Sequence, residues 1–102
     1  MKAYWIGHMT ITDPERYQDY IAANAAAFAK YDARFLVRGG AFEAREGEAR
    51  TRHVVIEFPS LDAAKACYDS PEYQTALAIR REAAEGELVI VEGYDRRQPG
   101  TG

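Results

Sequence analysis

The chain has one cysteine, Cys67, and two histidines, His8 and His53, in 102 residues. A lone cysteine cannot close an internal disulfide, which suits a reducing compartment. Two histidines on separate segments make neither a zinc set nor a proximal haem ligand on a helix, so no metal and no cofactor are expected. Positive charge is not in surplus: 13 Lys and Arg against 16 Asp and Glu leave a net −3. Nucleic-acid binding needs a basic face, so no nucleic-acid partner is expected. No apolar run is long enough to span a bilayer, and MKAYWIGHM enters a strand pattern instead of a signal peptide. The expected setting is cytoplasmic, away from membranes. No glycine-rich phosphate loop precedes a helix, and no internal repeat is visible.

Aromatic residues are plentiful: seven Tyr, four Phe and one Trp. In a small domain such rings fill a core, an interface or a pocket. Residues 1–95 are expected to form one domain, and 96–102, with Pro99 and two glycines, a disordered tail.

The stretch HVVIEFPSLDAAKACYDSPEY, His53 to Tyr73, organises the rest. Val54, Ile56 and Phe58 alternate with His53, Val55 and Glu57, the period of a half-buried strand. Pro59 ends it, Ser60 caps a helix, and Ser70-Pro71-Glu72 repeats the start signal, so this helix breaks and resumes. Before it, Ala3–Ile11 reads as a strand with Trp5, Gly7, Met9 and Ile11 on one face and Tyr4, Ile6, His8 and Thr10 on the other. Asp13-Pro14-Glu15 starts a helix to about Tyr31, whose apolar stripe carries Tyr17, Tyr20, Ile21, Phe28 and Tyr31, with Asn24 as its polar exception.

RFLVR, 34–38, is a second strand, with Phe35 and Val37 on one face and Leu36 and Arg38 on the other. It is expected to meet a bulge or close backbone approach at Gly39-Gly40 and to continue through Ala41–Glu46 to a hairpin tip at 46–52. That register sets Arg38 opposite Glu57. Leu61, Ala64, Cys67 and Tyr68 give the second helix its buried face, and Tyr73, Ala76, Leu77 and Arg80 share a face of the third. Gly86 reads as a helix stop and Glu87–Tyr94 as the last strand.

The order is β-α-β-β-α-β with the second helix split. It predicts a ferredoxin-like α+β fold: a four-stranded antiparallel sheet with helices on one face. The inner strands are apolar on both faces while the helices cover one, so a homodimer joined through its sheet faces is expected.

YWIGHMTITDPERYQDY, Asn24, RFLVRGG, VVIEFPS, YDSPEYQ with Arg80, and LVIVEGY together resemble the small bacterial domain of unknown function 1330. The resemblance runs to about Tyr94. It implies a dimeric α+β barrel, a superfamily that also holds cofactor-free monooxygenases, isomerases, haem-dependent peroxidases and stress-response barrels. The family has no assigned activity, so the resemblance speaks for the fold and widens the list of functions.

Asn24, Arg38, Glu57 and Arg80, with His8, are polar positions on apolar faces. One reading is a ligand pocket between helices and sheet. In it Arg80 holds a carboxylate or enolate, Asn24 orients it, Arg38 is a further ligand-binding position, Tyr17 and Tyr73 form walls, and His8 or Glu57 moves a proton. The other is structural. Arg38 and Glu57 form a cross-strand ion pair, Asn24 hydrogen-bonds to a backbone carbonyl, and Arg80 snorkels over Tyr73. Glu57 is out of phase with Val54, Ile56 and Phe58, which sets it on the dimer face, away from Asn24 and Arg80. His8 is expected to be partly buried and His53 exposed. Three functions follow: a small-ligand-binding homodimer for an anionic or aromatic metabolite, a cofactor-free enzyme, or a dimerisation module without a ligand.

Overall fold

A computed structural model describes residues 1–100. Strand β1 (Ala3–Ile11) is followed by helix α1 (Pro14–Lys30), β2 (Arg34–Arg38), β3 (Arg52–Phe58), α2 (Leu61–Asp69), α3 (Pro71–Ala83) and β4 (Ala84–Glu92). The sheet is antiparallel in the order β2-β3-β1-β4, the ferredoxin-like arrangement the sequence predicts. The expected tail ends at 101–102, which lie outside the described residues.

The local signals act as their chemistry dictates. The Asp13 carboxylate accepts from the Arg16 backbone N–H at 3.1 Å, and the Ser60 hydroxyl from Ala63 at 3.0 Å. Ser70 serves two helices at once. Its hydroxyl donates to the Cys67 carbonyl at 2.7 Å, closing α2, and accepts from Tyr73 N–H at 3.1 Å, opening α3.

The helices cover one face of the sheet. Trp5 lies at the centre of that core, 1% exposed, with Phe28, Phe58, Tyr68 and Tyr73 around it at ring distances of 4.8–5.8 Å. Its indole N–H donates to the Ala64 carbonyl at 3.0 Å, so the ring is buried without leaving a polar atom unpaired. Cys67 packs here too, and burial pushes its thiol up to about 12, away from thiolate chemistry.

Three sequence expectations are corrected. The 39–51 segment is an exposed loop, with no strand over Ala41–Glu46. Gly86 is not a helix stop. α3 ends at Ala83, whose carbonyl accepts from Thr12 and Asp13 at 2.8 and 3.1 Å, and the chain turns at once into β4. Gly86 then pairs with Met9, where a Cβ would collide with the His8 carbonyl. Finally, the register slips by one residue between Phe35 and Val37, so Leu36 is extra. Phe35 faces Ile56 and Arg38 faces Val54. Arg38 therefore shares the helix-side face with Phe35, and Arg34, not Arg38, stands opposite Glu57.

The outer face is ordered in rows. Val37, Val55, Ile6 and Val89 lie side by side across all four strands, with Val37 40% and Val89 54% exposed. The row of Arg34, Glu57, Tyr4 and Val91 flanks them on one side. His53, His8 and Glu87 flank them on the other.

Candidate functional site

Between α1, α3 and the inner face of the sheet lies a cavity of about 30 Å³. α1 contributes Tyr17, Tyr20 and Asn24 to its lining, α3 contributes Tyr73 and Arg80, and β2 and β3 contribute Arg38 and Arg52. The floor is apolar, formed by Trp5, Met9, Val54 and Ile56 among others. Among the described residues no Asp or Glu borders it.

Each arginine rests on an aromatic ring. The Arg38 guanidinium carbon is 4.0 Å from the Phe35 centroid, that of Arg52 is 5.3 Å from Tyr17, and that of Arg80 is 5.8 Å from Tyr20. None of the ion pairs found among the described residues uses any of the three. Arg80 donates weakly to the Met9 thioether, 3.5 Å away, and the Tyr73 phenol is its other polar neighbour. The Nε–H groups of Arg52 and Arg80 are buried without a hydrogen-bond partner. Gly39 explains how Arg52 reaches in. Its φ is +72°, and a Cβ there would stand 2.9 Å from an Arg52 terminal nitrogen.

Tyr20 and Tyr73 share a hydroxyl–hydroxyl hydrogen bond of 2.8 Å. Burial raises both phenols above their ordinary value of 10, against the pull of the nearby Arg80 charge. They remain protonated, able to donate. Burial also works against the Arg80 charge, but Tyr73 and Tyr20 outweigh it and the guanidinium lies above its ordinary value. Asn24 is 3% exposed, and none of the side-chain hydrogen bonds around the cavity uses its amide. The expected bond from Asn24 to a backbone carbonyl is not among them. The cavity thus presents guanidinium, phenol and amide N–H donors with no carboxylate or imidazole in its lining.

Of the residues singled out from the sequence, Asn24, Arg38, Arg80, Tyr17 and Tyr73 converge on this cavity. His8 and Glu57 do not: both lie on the outer face. Glu57 meets Lys2 at 3.4 Å, which replaces the expected Arg38 pair. His8 is exposed and His53 half-buried, the reverse of expectation, because Phe42 from the 39–51 loop packs on the His53 ring at 4.6 Å. Their Nδ1 atoms are 2.8 Å apart. Arg52 falls in the expected hairpin tip and so escapes the sequence reading. Its signal is phase: Arg52, Val54, Ile56 and Phe58 all point to the same side. Among the described residues no group of three or more His, Cys, Asp or Glu could hold a metal ion, and no helix is long and apolar enough to cross a membrane.

Comparison with solved structures returns the same architecture. A protein of unknown function from Rhodopseudomonas palustris, RPA0582, is 16% identical over 93% of this chain and 84% of its own, with a TM-score of 0.77. SnoaB, a cofactor-independent oxygenase from Streptomyces nogalater, is 16% identical over 98% of both chains, at 0.63. A dimeric ferredoxin-like protein of unknown function from Thermobifida fusca is 21% identical over 88% of this chain and 89% of its own, at 0.61. Likeness at such identities speaks for the fold. No curated protein matches the chain. The model of the domain of unknown function DUF1330 matches residues 2–94, and the chain belongs to that family.

Proposed function

We propose that the protein binds a small anionic or aromatic metabolite between its helices and its sheet, as a homodimer joined through the outer sheet faces. One observation carries the binding reading: Arg38, Arg52 and Arg80 converge on a cavity that no carboxylate borders. A guanidinium out of water is ordinarily paired with an acid. The half-buried Arg52 and Arg80, with the exposed Arg38 beside them and no acid paired to any of the three, give the cavity a positive potential that an anion satisfies. The Tyr17, Tyr20 and Phe28 rings supply walls, and Asn24 with the tyrosine hydroxyls supplies orientation.

The outer apolar row supports the dimer. Val37, Val55, Ile6 and Val89 form a band framed by charged and polar residues, the pattern of an interface with an apolar centre. The Thermobifida fusca protein, described as dimeric, has the same fold.

The fold is also that of SnoaB, a cofactor-independent oxygenase. Enzyme chemistry here lacks its proton carrier, because His8 and Glu57 lie on the face away from the cavity. Tyr20 and Tyr73 hold their protons too firmly to serve as bases. Binding is the better-supported reading.

Thermal-shift screening with small aliphatic and aromatic acids, followed by native mass spectrometry, tests it. Acids are expected to raise the melting temperature of the wild type. Arg80→Ala is expected to lose that response while sedimenting as a dimer. Loss of the dimer instead makes Arg80 a structural residue. A wild type that no acid stabilises is a dimerisation module without a ligand.

A further inference from the structure

Resting on the anion-binding reading above, we infer that the ligand is a short aliphatic dicarboxylate, with one carboxylate on Arg80 and the other on Arg52 and Arg38. The cavity has two separate forks. An Nε–H and a terminal N–H of one guanidinium form the bidentate donor pair that a carboxylate matches. Two buried Nε–H groups lack partners, one on Arg52 and one on Arg80. They come from different layers, sheet and helix. Arg52 comes from β3 and lies over Tyr17; Arg80 comes from α3 and lies over Tyr20; the Tyr17 and Tyr20 rings are 5.3 Å apart between them. A compact anion reaches one fork and leaves the other unmet.

Arg38 belongs to the Arg52 side. It pairs with Val54, two residues from Arg52 on the same face, and Gly39 beside it makes room for the Arg52 guanidinium. Charge agrees with this division. Three guanidiniums and no bordering acid leave +3, which one carboxylate cannot balance but two nearly do. Size agrees as well. As it stands the space of about 30 Å³ has room for little more than a water or two, so a slim chain, which needs the least opening of the walls, is favoured over a fused ring. Arg38 is exposed, so its stem can swing aside to admit the chain without unpacking the core.

The test is isothermal titration of the dimer at fixed ionic strength with malonate, succinate, glutarate, butyrate, benzoate and inorganic phosphate. The best dicarboxylate is expected to bind at least about tenfold tighter than butyrate, benzoate or phosphate. Arg80→Gln and Arg52→Gln are each expected to bring it down to the butyrate level, with circular dichroism confirming the fold. Arg38→Gln, at an exposed position, is expected to weaken the dicarboxylate severalfold, and it decides between the outcomes if a more buried variant fails to fold. Butyrate, benzoate or phosphate matching the best dicarboxylate overturns the two-fork arrangement and leaves anion binding standing. An unchanged affinity in Arg38→Gln also counts against it. No heat with any acid overturns both readings.

Discussion

On the outer face of the sheet two ion pairs flank the apolar row. Lys2 meets Glu57 at 3.4 Å, and Arg50 clasps Glu87 through two nitrogens at 2.7 and 2.8 Å. On the inner face Arg38, Arg52 and Arg80 meet rings and a thioether instead. Opposite charges that neutralise each other around an apolar row leave that row able to bury itself against a second copy. The inner cations find no acid in the chain itself to neutralise them. One sheet thus has two chemistries, assigned by the alternation of its strands and by one bulge.

The inner face should break hardest at its ring cluster. Trp5→Ala removes a fully buried indole and its packing against Phe28, Phe58, Tyr68 and Tyr73. It is expected to cost about 3–5 kcal/mol, read from urea denaturation followed by circular dichroism. A loss under about 1 kcal/mol would mean that this face is not the core.

The outer face should break differently. Val89→Glu places a charge in the middle of the apolar row at a residue 54% exposed in the single chain. If the proposed dimer is right, the fold of one chain should not depend on Val89 but the pair should. Burying an unpaired carboxylate at the interface is expected to cost a few kcal/mol of association. Sedimentation should show monomers with an unchanged far-ultraviolet spectrum. An intact dimer would place the interface elsewhere.

A third test works through the backbone. Gly39→Ala puts a Cβ at a φ of +72° and against Arg52. The left-handed conformation alone is expected to cost roughly 1–2 kcal/mol. Displacement of Arg52 should also weaken anion binding, a loss that a purely local strain would not produce. Titration of the variant with the best anion separates the two.

The sequence is most legible where local chemistry decides. The caps at Asp13, Ser60 and Ser70 and the alternation of β1 and β3 place the elements, and element order then sets the topology. What it hides is non-local. The bulge at Leu36 has no mark in RFLVR, because register is settled by the partner strand, and it carries Arg38 to the inner face. Arg52 is lost with the loop boundary, although its phase with Val54 is readable. The end of α3 is misplaced because its last carbonyl is satisfied by Thr12 and Asp13, far back in the chain, and needs no glycine.

The smallest expected effect sharpens the contrast between the faces by acid alone. The Arg50 side chain, by hydrogen bond and charge, holds Glu87 below its ordinary value of 4.5, and Lys30 does the same for Glu72. A carboxylate whose value is depressed on folding adds stability above 4.5, and that stability is lost as pH falls through the depressed folded value. Glu87 is exposed and Glu72 partly so, with both pairs at the surface, so the loss should be slight and should shrink further in high salt. Glu87→Gln is expected to lower the melting temperature slightly at neutral pH and to match the wild type at the acid end, so that the fall below about pH 4.5 is shallower. Replacing Arg38, Arg52 or Arg80 with Gln should leave that acid limb as it is, since no carboxylate borders them. If Arg52→Gln flattened the limb instead, Arg52 would have an acidic partner in solution. The division between a paired outer face and an unpaired inner one would then fail at the residue on which the two-fork reading most depends.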